Sequence, residues 1–122
     1  PNSFVYPGTH DNDTTTGWFE KLRVDQKAQM ARYLNFDVND PAWNLIRVTM
    51  ASVGCGAVVP LQDVLALGSE ARMNLPGSAE GNWRWRMKGD YADRGGAEGL
   101  ADLAGLYGRV PTKLSEQNHS TE

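Results

Sequence analysis

Phe4-Val5-Tyr6-Pro7-Gly8-Thr9-His10-Asp11-Asn12-Asp13 stands near the start of the chain, and Ala57-Val58-Val59-Pro60 stands near its middle. The first stretch begins with a short aromatic and β-branched run that stops at Pro7-Gly8, the pattern of a buried strand entering a loop. The second is another short apolar run. Continuous apolar runs separated by helical segments predict parallel strands covered on both faces. The predicted order is strand, two or three helices, strand, joined by a right-handed crossover. Such an α/β unit cannot hide its own strand edges, which stay open to pairing. A closed barrel of eight strand–helix units takes roughly 250 residues. This chain has 122, so it is expected to supply about two units and to be incomplete on its own, with the remaining strands coming from sequence outside it.

The connecting segments carry their own start signals. Thr14-Thr15-Thr16 offers hydroxyl caps for a helix beginning near Gly17-Trp18-Phe19-Glu20. Asp25 is placed to cap a second helix, ahead of Ala28, Met30, Ala31 and Leu34. Asp40-Pro41 sets a capping carboxylate before a proline at the first helical position. It predicts a helix carrying Ala42, Trp43, Leu45, Ile46, Thr49 and Met50, up to about Ser52. A short helix over Gln62–Leu67 follows the second strand. Residues 68–99 are rich in Gly, Asn and charge and read as a long ordered loop, a length that is uncommon unless functional. Leu100, Leu103, Leu106 and Tyr107 restore helical spacing over Ala97–Leu106. Residues 1–109 therefore read as one unit and 110–122 as a flexible polar tail.

Apolar residues make up 40% of the chain and charged residues 22%, enough for a modest core. The formal net charge of −3, with no run of five like charges, argues against a nucleic-acid partner, which needs a basic face. No stretch approaches the roughly 18 apolar residues of a membrane helix, so no membrane partner is expected. The chain opens Pro1-Asn2-Ser3, without an initiator Met or a basic-then-apolar leader. It is expected to be cut from a longer reading frame and to be cytoplasmic, or plastidic if the source is a plant or alga. The lone Cys55 excludes an internal disulfide, and its apolar setting predicts an inert buried thiol. Trp18 and Trp43 lie on helix faces and are expected in the core.

His10-Asp11, at the C-terminal end of a strand, sits where parallel sheets bind ligands. A carboxylate there accepts hydrogen bonds from two adjacent sugar hydroxyls, and an imidazole beside it donates one. Both gain as positive charge builds on a sugar ring in an oxocarbenium-like transition state. On pattern alone, tying down their own loop is the competing explanation. Asp11-Asn12-Asp13 invites a calcium loop, but an EF-hand starting at Asp11 needs Gly and Glu where the chain has Thr16 and Leu22. The competing reading of Asp13 is a cap for the helix that follows. His10 and His119 lie at opposite ends and there is no cysteine pair, which argues against zinc. Gly68-Ser69-Glu70 does not continue into a nucleophile elbow, and Gly8-Thr9-His10 is not a phosphate loop. No metal and no organic cofactor are expected. Glycoside chemistry needs two opposed carboxylates, and this chain supplies only a third that assists them.

Four stretches resemble a known family. Thr9-His10-Asp11-Asn12-Asp13-Thr14 followed by Gly17-Trp18 resembles the fourth conserved region of the 4-α-glucanotransferases, the amylomaltase or disproportionating-enzyme family of the α-amylase clan. The run from Pro60 through Asp63, Glu70, Arg72-Met73-Asn74 and Gly77 resembles that family's segment after its last barrel strand. Gly81-Asn82-Trp83-Arg84-Trp85-Arg86 resembles its next signature, and Leu106-Tyr107-Gly108-Arg109 its closing helix. The resemblance implies a (β/α)₈ TIM barrel of which this chain is the C-terminal portion, Phe4-Val5-Tyr6 being the seventh strand and Ala57-Val58-Val59 the eighth. It implies retaining transfer of α-1,4-glucan segments between maltooligosaccharides through a covalent glycosyl-enzyme, in starch, glycogen or maltose metabolism. The family takes its nucleophilic Asp and its acid/base Glu from earlier strands. Neither motif is present here, so the isolated chain is expected to be inactive. Asp11 matches the family's third catalytic carboxylate, which grips and distorts the reacting sugar. His10 matches the histidine that hydrogen-bonds the same sugar, and Asn74 is expected to line the acceptor side as a substrate-binding residue. Asp63 and Glu70 follow the eighth strand, so neither is the missing acid/base.

On an extended segment Trp83 and Trp85 face one way and Arg84 and Arg86 the other. Trp is a common platform for a sugar's apolar face, but the expected role is structural, with the indoles pinning the loop and the arginines paired to carboxylates. Two rivals to a transferase fragment are a stand-alone carbohydrate-binding module, built on Trp83, Trp85 and His10-Asp11, and an end segment that closes a barrel and binds nothing itself.

Overall fold

The structure, a computed structural model, describes residues 2–89 and 96–111. The remainder of the predicted 68–99 loop and most of the predicted 110–122 tail lie outside the described residues. Phe4–Val5 (β1) and Gly56–Ala57 (β2) pair in parallel, with Phe4 opposite Gly56 and Val5 opposite Ala57. The Cys55 N–H donates to Ser3 O and the Val58 N–H to Val5 O, each at 2.9 Å, so the ladder extends past both strands. Between the strands come α1 (Thr15–Glu20), α2 (Val24–Leu34) and α3 (Pro41–Met50). After β2 come α4 (Leu61–Val64), a 3₁₀ turn at Ser69–Ala71, and α5 (Gly96–Leu106). The α/β order predicted from sequence is present, with β1 shorter than its apolar run and β2 starting at Gly56, ahead of the predicted Ala57-Val58-Val59.

Burial of the strands differs from expectation. The apolar pattern predicts cover on both faces, yet Phe4, Tyr6 and Val58 are 69%, 52% and 55% exposed. By strand alternation and the observed register these three share one face. Two paired strands leave that face without a covering layer among the described residues. Cys55 is likewise exposed rather than buried, because it flanks β2 at the open end of this narrow sheet, its Sγ 3.3 Å from Ser3 O.

The core lies among the helices, in Phe19, Phe36, Ala42, Ile46, Met50 and Ala71. Helix α3 is its hub and packs against α1, α4 and α5. Its start follows the predicted signals: Pro41 opens it and the Asp40 carboxylate accepts the Trp43 N–H at 3.4 Å. Thr14 caps α1 by accepting the Gly17 N–H at 3.1 Å. Helix α2 begins earlier than predicted, with Arg23 rather than Asp25 at the cap. The Gln26 side chain accepts the Arg23 N–H at 3.0 Å, and Asp25 falls within the first turn, where its charge favours the helix dipole. Phe36, just past the left-handed Asn35, turns back to stack on Phe19 at 5.6 Å. Trp43 is half-buried, its indole N–H donating to Val64 O at 3.1 Å. Gly99 of α5 lies flat on that indole, where a Cβ would come within 2.7 Å of the ring. Trp18 is exposed, contrary to the core expectation, because Thr15 and Phe19 take the buried face of the short α1.

Two carboxylates fasten α1 and its entry loop to the segment after β2, and so set the height of the loops above. Asp63, 3% exposed, accepts the Thr15 N–H and hydroxyl, both at 2.8 Å. Burial pushes its carboxyl above the ordinary value, and the two Thr15 bonds offset that only in part. Asp13 accepts from Lys21 Nζ at 2.7 Å and from the Ser69 hydroxyl and Thr14 N–H at 2.8 Å. Burial works to raise Asp13 as well, but the Lys21 and Ser69 hydrogen bonds, the Lys21 charge and the Thr14 N–H together hold it below the ordinary value. At the far side, Arg109 donates to the carbonyls of Met50, Ser52 and Gly54 at 2.7, 3.0 and 3.1 Å. These follow the end of α3, where carbonyls lack helical partners and a cation is favoured.

Arg109→Met leaves those carbonyls without their charged donor and is expected to lower the stability of the chain by about 2–3 kcal/mol, read from urea unfolding; a change under about 0.5 kcal/mol would contradict the clamp. The depressed Asp13 stabilises the fold above its unfolded value, and that contribution is lost as pH falls through the folded value. The raised Asp63 acts in the opposite sense, its cost fading on acidification. Thermal melts of wild type and Lys21→Met should therefore differ most above the ordinary carboxylate value of 3.8 and converge below it; a gap independent of pH would contradict the Lys21–Asp13 pairing.

Candidate functional site

The chain leaves β1 through Pro7-Gly8 into a tight turn. The Asn12 N–H donates to Thr9 O at 3.1 Å, and Asn12 Oδ1 accepts both the N–H and the hydroxyl of Thr9 at 2.8 and 3.1 Å. That closure lifts His10 and Asp11 to the tip, with side chains 57% and 52% exposed. A tight turn with its own side-chain closure presents two polar groups without burying either.

The segment after the 3₁₀ turn meets this tip. The Asn74 N–H donates to His10 O at 3.2 Å, and its side-chain Nδ2 donates to Asp11 Oδ1 at 2.6 Å. Arg72 donates through Nη2 to Asp11 O at 2.9 Å and through Nε to Asn74 O at 2.8 Å. His10 Nε2 stands 3.4 Å from Asp11 Oδ1. The three residues singled out in the sequence, His10, Asp11 and Asn74, are thus in mutual contact. Asn74 meets Asp11 directly. Asp11 Oδ2 takes no hydrogen bond from the described residues, and the side chain is half-exposed.

The Gly81–Arg86 segment packs on the same point. The Trp83 N–H donates to Met73 O at 2.6 Å, and its ring lies against His10 with centroids 5.0 Å apart and planes tilted by 43°. Trp83 adopts φ 62°, the left-handed region, so the segment is not extended there and strict alternation of Trp and Arg does not hold. The indole does pin the loop as expected, but against His10. Arg86 bonds the carbonyls of Trp83 and Trp85 at 3.0 and 2.8 Å, not a carboxylate. Trp83 and Arg72 are the residues that sequence reasoning undervalued. Arg72 could have been flagged by its place two residues before Asn74 in one matched turn; nothing in the sequence marks a left-handed tryptophan.

A cleft of about 340 Å³ opens between the two loops, lined by Tyr6, His10, Val58, Asp63, Arg72 and Met73 among others. Asp11 and Asn74 are not part of its lining. Among the described residues no three His, Cys, Asp or Glu side chains stand together as a metal site would require. The arrangement offers one fixed carboxylate with an open oxygen, an imidazole beside it and an aromatic face behind the imidazole. That set suits a polar, hydroxyl-rich ligand.

A family profile described as 4-alpha-glucanotransferase matches residues 1–92. The 4-alpha-glucanotransferase of Synechocystis sp. is 47% identical over 109 residues, which cover 88% of this chain and 22% of that protein. The Thermus thermophilus 4-alpha-glucanotransferase is 54% identical over 89 residues, covering 68% of this chain and 18% of that protein. The chloroplastic/amyloplastic 4-alpha-glucanotransferase of Solanum tuberosum is 42% identical over 113 residues, covering 89% and 20%. Among solved structures, an amylomaltase from Streptococcus agalactiae in complex with acarbose superposes with a TM-score of 0.83 at 34% identity, over 89% of this chain and 22% of that one. The chain spans about a fifth of the length of these relatives. They include bacterial proteins and chloroplast or amyloplast ones, and no helix among the described residues is long and apolar enough to cross a membrane. With three quarters of its length matched by the family profile, and with relatives alike in sequence and in fold, the chain belongs to the 4-alpha-glucanotransferase family.

Proposed function

We propose that this chain is the C-terminal portion of a (β/α)₈ barrel, with β1 and β2 as its last two strands. The whole protein transfers α-1,4-glucan segments between maltooligosaccharides. The observation that carries this reading is the 2.6 Å bond from Asn74 to Asp11, made between the loops that follow two parallel strands. The acarbose complex of the related amylomaltase supports a glucan-like ligand. The barrel reading makes residues 1–109 part of the catalytic domain and 110–122 a tail, in a protein of the cytoplasm or, in a plant or alga, the plastid.

The chemistry divides between this chain and the rest of the barrel. The reaction is retaining: a nucleophilic carboxylate takes the glucosyl segment, a carboxylic acid protonates the leaving oxygen, and an acceptor hydroxyl then displaces the enzyme. Both of those groups come from strands outside this chain. Asp11 contributes the third carboxylate. Its Oδ1 is held by Asn74, and Oδ2 accepts hydroxyls of the reacting sugar. A fixed negative charge beside the ring gains as oxocarbenium character develops. His10 donates to the same sugar, its ring braced by Trp83.

The test joins this chain to the remaining barrel of the Synechocystis relative in place of that protein's matching segment. The 122-residue chain alone is expected to release no glucose from maltotriose, and the completed barrel to release it steadily. Asp11→Asn in the completed barrel should lower kcat by about 10³-fold or more, as loss of a transition-state charge contact does. Turnover by the isolated chain, or an Asp11→Asn rate near wild type, would overturn the proposal.

A further inference from the structure

We propose that Arg72 is a positioning residue, whose guanidinium fixes the Asp11 carboxylate by gripping both loops of the site at once. The inference rests on the reading of Asp11 given above. Arg72 follows the 3₁₀ turn in extended backbone, φ −61° and ψ 135°, which points its side chain back toward the turn after β1. Its Nε donates to Asn74 O at 2.8 Å and its Nη2 to Asp11 O at 2.9 Å. Its acceptors are backbone carbonyls, and it forms no ion pair among the described residues. The charge therefore serves to strengthen two hydrogen bonds to neutral acceptors.

Geometry gives those two bonds their consequence. Asp11 and Asn74 lie 63 residues apart in sequence, on different loops. The Asn74 Nδ2–Asp11 Oδ1 bond depends on the placement of both loops. A planar fork spanning the carbonyl of each residue fixes their separation and orientation together. The Asn74 N–H to His10 O bond closes the same ring of contacts. Lysine cannot replace the fork, since an ammonium is a point charge on a flexible stem. Arg72 touches no reacting atom on this account. It acts through the placement of Asp11, and a displacement of about 1 Å at such a group costs up to about 100-fold in rate.

The test uses the completed barrel described above. Arg72→Lys is expected to lower kcat for maltotriose by between about 10- and 100-fold, with KM changed by less than about threefold, because the sugar-contacting groups remain. In an Asp11→Asn background the same substitution should lower kcat no further, since effects that pass through one group are not additive. A kcat for Arg72→Lys within about twofold of wild type, or an equal loss in both backgrounds, would overturn the positioning role. An Asp11→Asn variant that turns over normally would instead overturn the reading of Asp11, and this inference with it. A second measurement is independent of activity. In the 122-residue chain, the Asn74 side-chain amide proton signals should move from their hydrogen-bonded position to the free-amide position in Arg72→Lys, as in Asp11→Ala, which removes the acceptor, while the Thr15 amide bonded to Asp63 stays in place. An Asn74 signal unmoved by Arg72→Lys would contradict the proposal, whether or not the rates change.

Discussion

Parallel pairing of β1 with β2 sends the loops that follow both strands out of the same end of the sheet, and the rest of the site follows from that constraint. The turn at residues 9–12 and the segment at residues 72–74 are distant in sequence, yet they must share the space above the strand ends. They meet through the Asn74 and Arg72 bonds to residues 10 and 11. An antiparallel pair would place the two loops at opposite ends, and no such contact would form. Strand pairing is thus the first link in the chain from sequence to chemistry, although the strands themselves are only two residues each.

The three aspartates around this junction show how environment assigns roles to one residue type. Asp63 is buried under the start of α1 and bonds the backbone and hydroxyl of Thr15; Asp13 bridges Lys21 and Ser69. Both are occupied in holding α1 to the segment after β2. Asp11 differs because one of its oxygens is fixed by Asn74 while the other has no donor among the described residues. A carboxylate that is held on one side and open on the other suits a ligand, whereas a carboxylate satisfied on both sides suits a fold.

Much of this was legible in the sequence. Pro7-Gly8 marked the end of the first strand, Asp40-Pro41 marked the start of α3, and the matched stretches named His10, Asp11 and Asn74, which the fold brings into contact. What escaped were features decided by neighbours or by unusual backbone. Phe4, Tyr6 and Val58 read as buried because apolar strand patterns report the burial a residue is suited to, and on the proposed reading their covering strands lie outside this chain. Trp83 escaped because a left-handed tryptophan has no local signature. Arg72 escaped because its partners are carbonyls, which every residue carries. Cys55 has apolar neighbours in sequence, but they do not enclose it, because it stands at the margin of the two-stranded sheet.

On the proposed function, the open oxygen of Asp11 faces a glucose ring while Asn74 holds the other. A crystal structure of the completed barrel with a bound maltooligosaccharide measures this directly. The expected result is a glucosyl hydroxyl within about 3 Å of Asp11 Oδ2, with the Asn74 bond to Oδ1 intact. A sugar seated in the barrel with Asp11 turned away into its own loop would contradict it.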